Sequence, residues 1–291
     1  MDKDTFLRFV PFIGKSRQTP VVPVVRLVGP IGVNFGFQRS ISFAGVVAPI
    51  EQAFKVKGAK AVALVINSPG GSPVQSTLIY KRIRALSEEN GVPVFAFAED
   101  AAASGGYLLA LAGDEIYADA SSVIGSIGVI SAGFGFTELI ARIGVERRVY
   151  SAGERKSTLD AFMPEDPEDV ARLKVLQQDI HKVFKELVRE RRGDLLTESE
   201  DKLFSGEFWT GIQAEKLGLI DGLGDVRSVM RSRFGENVKL KVIGGGGSWL
   251  RRRSGFGDNL FSQAGFGLPR TWSSDLLATL EARSLWSRFG L

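Results

Sequence analysis

Ala61-Val62-Ala63-Leu64-Val65-Ile66 is an unbroken apolar run that stops at Asn67-Ser68-Pro69-Gly70-Gly71. A short run that is apolar at every residue suits a strand buried on both faces of a parallel sheet. The Pro-Gly-Gly after it reads as a tight turn, because proline fixes one dihedral and glycine accepts positive φ. Past the turn, Leu78, Ile79, Ile83 and Leu86 fall at helical spacing within 77–86, and Asn90-Gly91 closes that helix. Residues 92–98 return to a strand pattern. Strand, turn, helix and strand in this order predict an α/β fold with largely parallel strands. Functional loops in such folds gather at the carboxyl ends of the strands.

The reading extends outward from this unit. Residues 21–28 are rich in β-branched side chains and read as a strand despite Pro23. Residues 115–118 form a short strand, 126–130 a short apolar segment between glycines, 136–143 a helix and 146–150 a further strand. Asp166-Pro167-Glu168-Asp169 opens a helix with a capping aspartate, a first-turn proline and acids against the positive dipole end. Leu173, Leu176, Ile180, Phe184 and Leu187 are its expected buried stripe, and Gly193 ends it. Residues 204–224 read as helix, turn and short strand. Four glycines at 244–247 form a linker, followed by an arginine-, glycine- and aromatic-rich tail with an amphipathic helix pattern over 273–289. The expected organisation is an apolar segment at 1–20, a folded domain at 21–243, and the linker and tail at 244–291.

Ser104 lies in Ala101-Ala102-Ala103-Ser104-Gly105-Gly106-Tyr107. The alanines let a strand-to-helix corner pack tightly, and the glycines let a substrate backbone approach the hydroxyl. A serine at a helix start also has unpaired amides and the positive dipole end beside it. It is equally a favoured helix cap, and the heptad alone leaves both readings open. In the 67–72 turn, Gly71 leaves an amide free to face a cleft. Together with the amide of Gly105 it would supply the two donors of an oxyanion hole. A capping turn built on Ser72 and a phosphate cradle are the other readings of that turn.

The chain has one histidine and no cysteine. That excludes a thiol nucleophile and a disulfide framework, and a zinc site would need mostly carboxylates, which is unusual, so no metal is expected. His181 lies one residue off the helical stripe and reads as a helix-surface residue. A nucleophilic Ser104 therefore needs a base other than imidazole, and the candidate is Lys156 in Gly153-Glu154-Arg155-Lys156-Ser157. Lysine is a base only when neutral, so its ordinary pKa of about 10.4 must fall, and burial is the usual route. Val149, Tyr150, Leu159 and Phe162 around it permit burial. On its own residues, Lys156 reads first as a surface lysine, and its case as a base rests on the resemblance below.

The formal charge of +4 is uneven. Residues 227–291 hold 11 Lys/Arg against 4 Asp/Glu, whereas residues 1–226 hold 26 against 29. A basic tail suits an anionic lipid surface; no nucleic-acid motif accompanies it, and no nucleic acid is expected. Phe6, Leu7, Phe9, Val10, Phe12 and Ile13 cluster near the N-terminus, either packed on the protein or laid on a membrane surface. No apolar run approaches the roughly 20 residues that span a bilayer.

Four blocks together resemble a known family. They are Asn67-Ser68-Pro69-Gly70-Gly71, Ala102-Ala103-Ser104-Gly105-Gly106-Tyr107, Gly125-Ser126-Ile127-Gly128-Val129, and Ser151-Ala152-Gly153-Glu154-Arg155-Lys156. Their order and spacing resemble the S49 serine peptidases, the signal peptide peptidase A and protease IV group in its short, single-domain form. The first two blocks are shared with the wider Clp-peptidase and crotonase superfamily. The serine-to-lysine spacing, with the Gly-Ser-Ile-Gly-Val block between, is the specific part. Clp peptidases themselves place a histidine about where residues 127–130 stand here.

The resemblance implies a Clp/crotonase-type superhelix of strand-strand-helix units, here with a C-terminal basic tail. It implies Ser104 as nucleophile, Lys156 as general base, Gly71 and Gly105 as oxyanion donors, and Ser126 as the residue that holds the lysine amine. The implied activity is a serine endopeptidase cleaving extended apolar peptides, such as signal-peptide or membrane-protein fragments, without a cofactor. The implied assembly is a homo-oligomeric ring whose sites are shared between subunits. Typical members carry an N-terminal membrane anchor, which this chain lacks, so the expected location is cytoplasmic with peripheral contact at the inner membrane. Two other readings stand beside it: a membrane-associated scaffold with a vestigial site, and a crotonase-type enzyme acting on acyl-CoA.

Overall fold

Three parallel strands whose side chains alternate between two cores organise this protein: β1 (Val21–Val28), β2 (Val62–Ser68) and β3 (Val94–Ala103). The computed structural model describes residues 19–32, 40–153, 155–244 and 285–290. Along the chain the other elements are α1 (Phe43–Phe54), α2 (Pro73–Asn90), α3 (Gly105–Ala110), β4 (Glu115–Ala118), β5 (Val123–Gly125) and α4 (Thr137–Arg142). Then follow α5 (Pro167–Arg192), α6 (Glu200–Leu203), β6 (Phe208–Thr210), α7 (Gly211–Lys216), β7 (Gly222–Leu223), α8 (Val226–Phe234) and β8 (Lys239–Ile243). The sheet order is β6-β5-β3-β2-β1-β8, with β4 on β3 and β7 on β4. Every pairing is parallel except β5 with β6. The α/β class and its parallel strands are as expected.

The period of two assigns each strand residue to one core. Val25, Leu27, Leu64, Ile66, Val94 and Ala96 pack with Ile50 of α1, Ile79 and Ile83 of α2, and α3. Val22, Val24, Ala63, Val65, Phe95 and Phe97 pack on the other face with Met230 of α8. The central strands are therefore buried on both faces, as the continuous apolar run requires. Ser72 caps α2 by accepting from the Gln75 amide, Pro73 occupies its first turn, and Gly91 ends it with φ 61°. Asp166 caps α5 in the same way by accepting from the Glu168 amide.

A branch in the sheet sets up the site. The first half of β3 pairs with β4 through Phe95–Ala98, and the second half pairs with β5 through Ala101–Ala103. Buried Ser122 bridges the branch by donating its hydroxyl to the Glu99 carbonyl at 2.5 Å. At the far end of α5, buried Arg192 donates to both Asp221 carboxylate oxygens at 2.9 and 2.8 Å and to the Gly218 carbonyl. Removing either partner of such a buried pair leaves an uncompensated charge.

Two expectations need correction. Residues 146–150 are not a strand: they have no neighbouring strand among the described residues, and Tyr150 is 91% exposed. The strand in that part of the chain is β5, just before the apolar segment read at 126–130. The α5 stripe is also incomplete, because Leu176 is 56% exposed and Val188 is the fully buried residue near the C-terminal end. The N-terminal half of α5 carries exposed Val175 and Leu176, so it does not bury a full stripe among the described residues. No helix among the described residues is long and apolar enough to cross a membrane. The apolar segment at 1–18, most of the linker and most of the tail lie outside the described residues.

Candidate active site

Ser104 occupies the corner where β3 becomes α3, with φ 52° and ψ −121°. Only three non-glycine residues among those described have positive φ: Ser104, Ser126 and Leu159. A left-handed backbone at a residue with a Cβ costs on the order of 1–3 kcal/mol and persists only where the surroundings impose it. Here they do. The Ser104 amide donates to the Gly125 carbonyl at 2.7 Å, tying the corner to β5. Gly106 lies so close to Ser68 that an added Cβ would stand 2.5 Å from the Ser68 carbonyl oxygen. Ser104 is the N-cap residue of α3, yet its side chain makes no capping hydrogen bond. The capping reading therefore does not account for this serine.

The turn after β2 stands against this corner. An added Cβ on Gly70 would lie 2.7 Å from the Ser104 Cβ, and one on Gly71 would collide with the Ile31 carbonyl. The Ile31 amide donates to the Gly70 carbonyl, and the Ser72 amide to the Ile31 carbonyl. That bridge passes over Gly71 without using its amide. The Gly105 amide is the first of α3 and has no partner within its helix. Neither amide donates to another backbone group among the described residues. An added Cβ on Gly105 would lie 3.4 Å from the Gly71 nitrogen, so the two amides stand side by side.

Both turns open into one cleft of about 270 Å³ lined by Gly71, Ser104 and Gly105. Its walls are the outer face of α2, with Val74, Thr77, Leu78 and Lys81, and the facing side of α5, with Ile180, Val183 and Phe184. Sequence reasoning missed the α2 wall, because Leu78 was grouped with the buried face. It is 42% exposed and faces the cleft. The available signal was Val74 and Leu78 one turn apart, just after the 67–71 turn.

Ser126 follows β5 as Ser104 follows β3, and it too has positive φ, at 54°. Its amide donates to the Glu207 carbonyl at 2.7 Å and its carbonyl accepts from Gly128. Ser126 is buried, 7% exposed, so both its backbone and its side chain sit inside this corner. His181 reaches the Ile127 carbonyl with Nε2 at 3.2 Å, clamping α5 to the segment after β5. Burial first, then the charge of Lys185, pushes its pKa below the usual value, so the ring is neutral at pH 7. The only histidine is thus a packing residue of this segment.

Lys156 is elsewhere. It lines a separate surface pocket with Ala152, Gly153 and Arg155, and is absent from the lining of the Ser104 cleft. It is exposed, as are Val149, Tyr150, Leu159 and Phe162 around it. The burial expected of Lys156 is not provided by the described residues. The fold brings Ser104, Gly71 and Gly105 to one cleft, sets Ser126 on the neighbouring strand, and leaves Lys156 on an open face.

Comparison with known proteins identifies the family of the chain. The model of peptidase family S49 matches residues 87–240. A Brucella abortus protein named Na(+)/H(+) antiporter NhaA is 50% identical over 286 residues, covering 98% of this chain and 39% of that protein. Serine protease SPPA, chloroplastic, of Arabidopsis thaliana is 31% identical over 219 residues, or 75% of this chain and 32% of that protein. Protease 4 of Haemophilus influenzae is 33% identical over 177 residues, or 60% of this chain and 28% of that protein. The chain thus spans between about a quarter and two fifths of these relatives. The region shared with the Brucella protein includes the whole stretch matched by the peptidase model. With that model covering more than half of its residues, the chain belongs to peptidase family S49.

Proposed function

We propose that this protein is a serine endopeptidase working through a serine–lysine pair, with residues 21–243 as the peptidase domain. The observation that carries the reading is Ser104 itself: a serine in an enforced left-handed corner, its hydroxyl unused as a cap, facing an apolar cleft beside two unengaged amides. Strain held at one residue of a concave site is the usual mark of a preorganised nucleophile. The neutral amine of Lys156 takes the Ser104 proton, and the Ser104 Oγ attacks a peptide carbonyl carbon. The Gly71 and Gly105 amides stabilise the resulting oxyanion. Protonated Lys156 then gives its proton to the leaving amine, and the C–N bond breaks. Water attacks the acyl ester with the same lysine as base, restoring Ser104. No cofactor enters.

Within one chain Lys156 is exposed, so we assign each site the lysine of a neighbouring copy in a ring. Supporting this, the segment between β5 and α5 exposes Ile130, Phe134, Leu139, Ile143 and Tyr150, and clustered exposed apolar side chains mark interaction surfaces. A head-to-tail contact of this kind closes into a ring. The apolar cleft walls favour extended peptides with apolar side chains. The N-terminal apolar segment and the basic tail suit peripheral contact with a membrane. The test is digestion of a soluble peptide library. Internal cleavage beside apolar residues is expected; absence of cleavage together with absence of reaction with a serine-directed probe would overturn the reading.

Ser126 is assigned as a positioning residue for the lysine amine. Ser126→Ala is expected to lower kcat by about ten- to a hundredfold, the range of one hydrogen bond to an ionisable group. KM should stay near wild type and the pH profile should shift, because the amine loses a partner. A wild-type rate at every pH would remove Ser126 from the site.

A further inference from the structure

The walls of the Ser104 cleft are largely apolar and carry one charged residue. Lys81, on the outer face of α2, lines it together with Leu78 from the same helix and Ile180, Val183 and Phe184 from α5. The neighbouring cations of α2 are engaged: Arg82 pairs with Glu51, and Arg84 with Asp114. Lys81 pairs with no carboxylate among the described residues. The positions one turn away on its own helix are Thr77, Leu78, Arg84 and Ala85, none of them acidic. A single exposed ammonium thus stands beside an apolar cleft with no counter-charge at hand.

We propose that Lys81 is a specificity residue that reads a carboxylate on the substrate peptide, next to the apolar side chain held between α2 and α5. The carboxylate belongs either to an acidic side chain or to the free C-terminus of the peptide; both present the same chemistry to an ammonium. The lysine stem lies along the apolar wall while its head meets the peptide at the edge. An apolar side chain entering the cleft displaces water and strengthens the pair, because the local dielectric falls. The inference rests on the cleft being a peptide site, and its test separates the two.

The experiment measures peptide binding by fluorescence anisotropy, using the full chain carrying Ser104→Ala so that bound peptide persists. The probes are one apolar peptide with Glu or Gln scanned through its positions, each with a free and an amidated C-terminus. The acid-bearing peptide is expected to bind about three- to fivefold more tightly than its neutral partner at low salt, the range of an exposed ion pair, with the difference shrinking at high salt. A preference that follows glutamate identifies a side chain, and one that follows the free terminus identifies the terminal carboxylate. Adding Lys81→Gln should remove the preference, Lys81→Arg should keep it, and Lys81→Glu should reverse it toward a lysine-bearing peptide. Lys81 is exposed, so these variants should melt with their parent. No acid preference at any position, a preference that survives Lys81→Gln, or no binding of any acid-bearing peptide overturns the proposal. Cleavage of the same peptides by wild type reads the peptidase separately: an acid preference in binding without any cleavage would leave Lys81 standing and remove Ser104 as nucleophile.

Discussion

Ser104→Ala is expected to lose peptide turnover by about 10⁴-fold or more, the scale seen when a serine nucleophile is removed. The covalent step needs the hydroxyl, and the oxyanion amides alone recover only part of the barrier. The fold should be unharmed, because the Ser104 side chain makes no capping bond in α3. A second variant sharpens the test. At φ 52° a Cβ is strained, so Ser104→Gly should relieve the corner and stabilise the protein by about 1 kcal/mol while also being inactive. A chain of this size would then melt roughly 2 °C higher. Stability gained together with activity lost is the signature of strain held for function. Retained turnover in purified Ser104→Ala would exclude the nucleophile, and an unchanged or lower melting temperature in Ser104→Gly would exclude the strain argument.

Lys156→Arg is expected to be as inactive as Lys156→Ala, also by several orders of magnitude. A guanidinium remains charged at any workable pH and cannot accept the serine proton. Charge conservation is therefore no rescue, which separates a base from an electrostatic helper. Neither variant should alter the melting of the isolated chain, since Lys156 is exposed and lines only its own shallow surface pocket. Substantial activity in Lys156→Arg would make the lysine a helper.

The strands and helices with strong local signals were legible in the sequence. β1 and β4 match their expected bounds, and α5 starts and ends where Asp166-Pro167 and Gly193 signal it. β3 was read as ending at residue 98, yet it runs to Ala103. Glu99 and Asp100 interrupt the apolar pattern where the strand changes partner from β4 to β5, and only tertiary pairing reveals that they belong to it. β5 is only three residues long and was missed for the same reason. Residues 146–150 end in the β-favouring pair Val149-Tyr150 but lack a neighbouring strand among the described residues, so local propensity alone over-reads them.

The candidate site was legible in part. The glycines at 70, 71, 105 and 106 implied close backbone approach, and each added Cβ would crowd a neighbouring element. The choice between nucleophile and cap at Ser104 could not be made from residue types; it needed the dihedral and the absent capping bond. The surroundings of Lys156 were misread as burial. Apolar residues near a lysine cover it only where another surface meets them, and in one chain none does.

Mixing two inactive variants tests the shared site most directly. Ser104→Ala retains an intact lysine and Lys156→Ala an intact serine. If each site takes its serine from one copy and its lysine from the next, equal mixing with subunit exchange makes about one interface in four competent. Activity should then recover to about a quarter of wild type, from two preparations that are each silent. No activity above the separate variants, after exchange has been verified by mass labelling, would contradict a site shared between neighbouring copies.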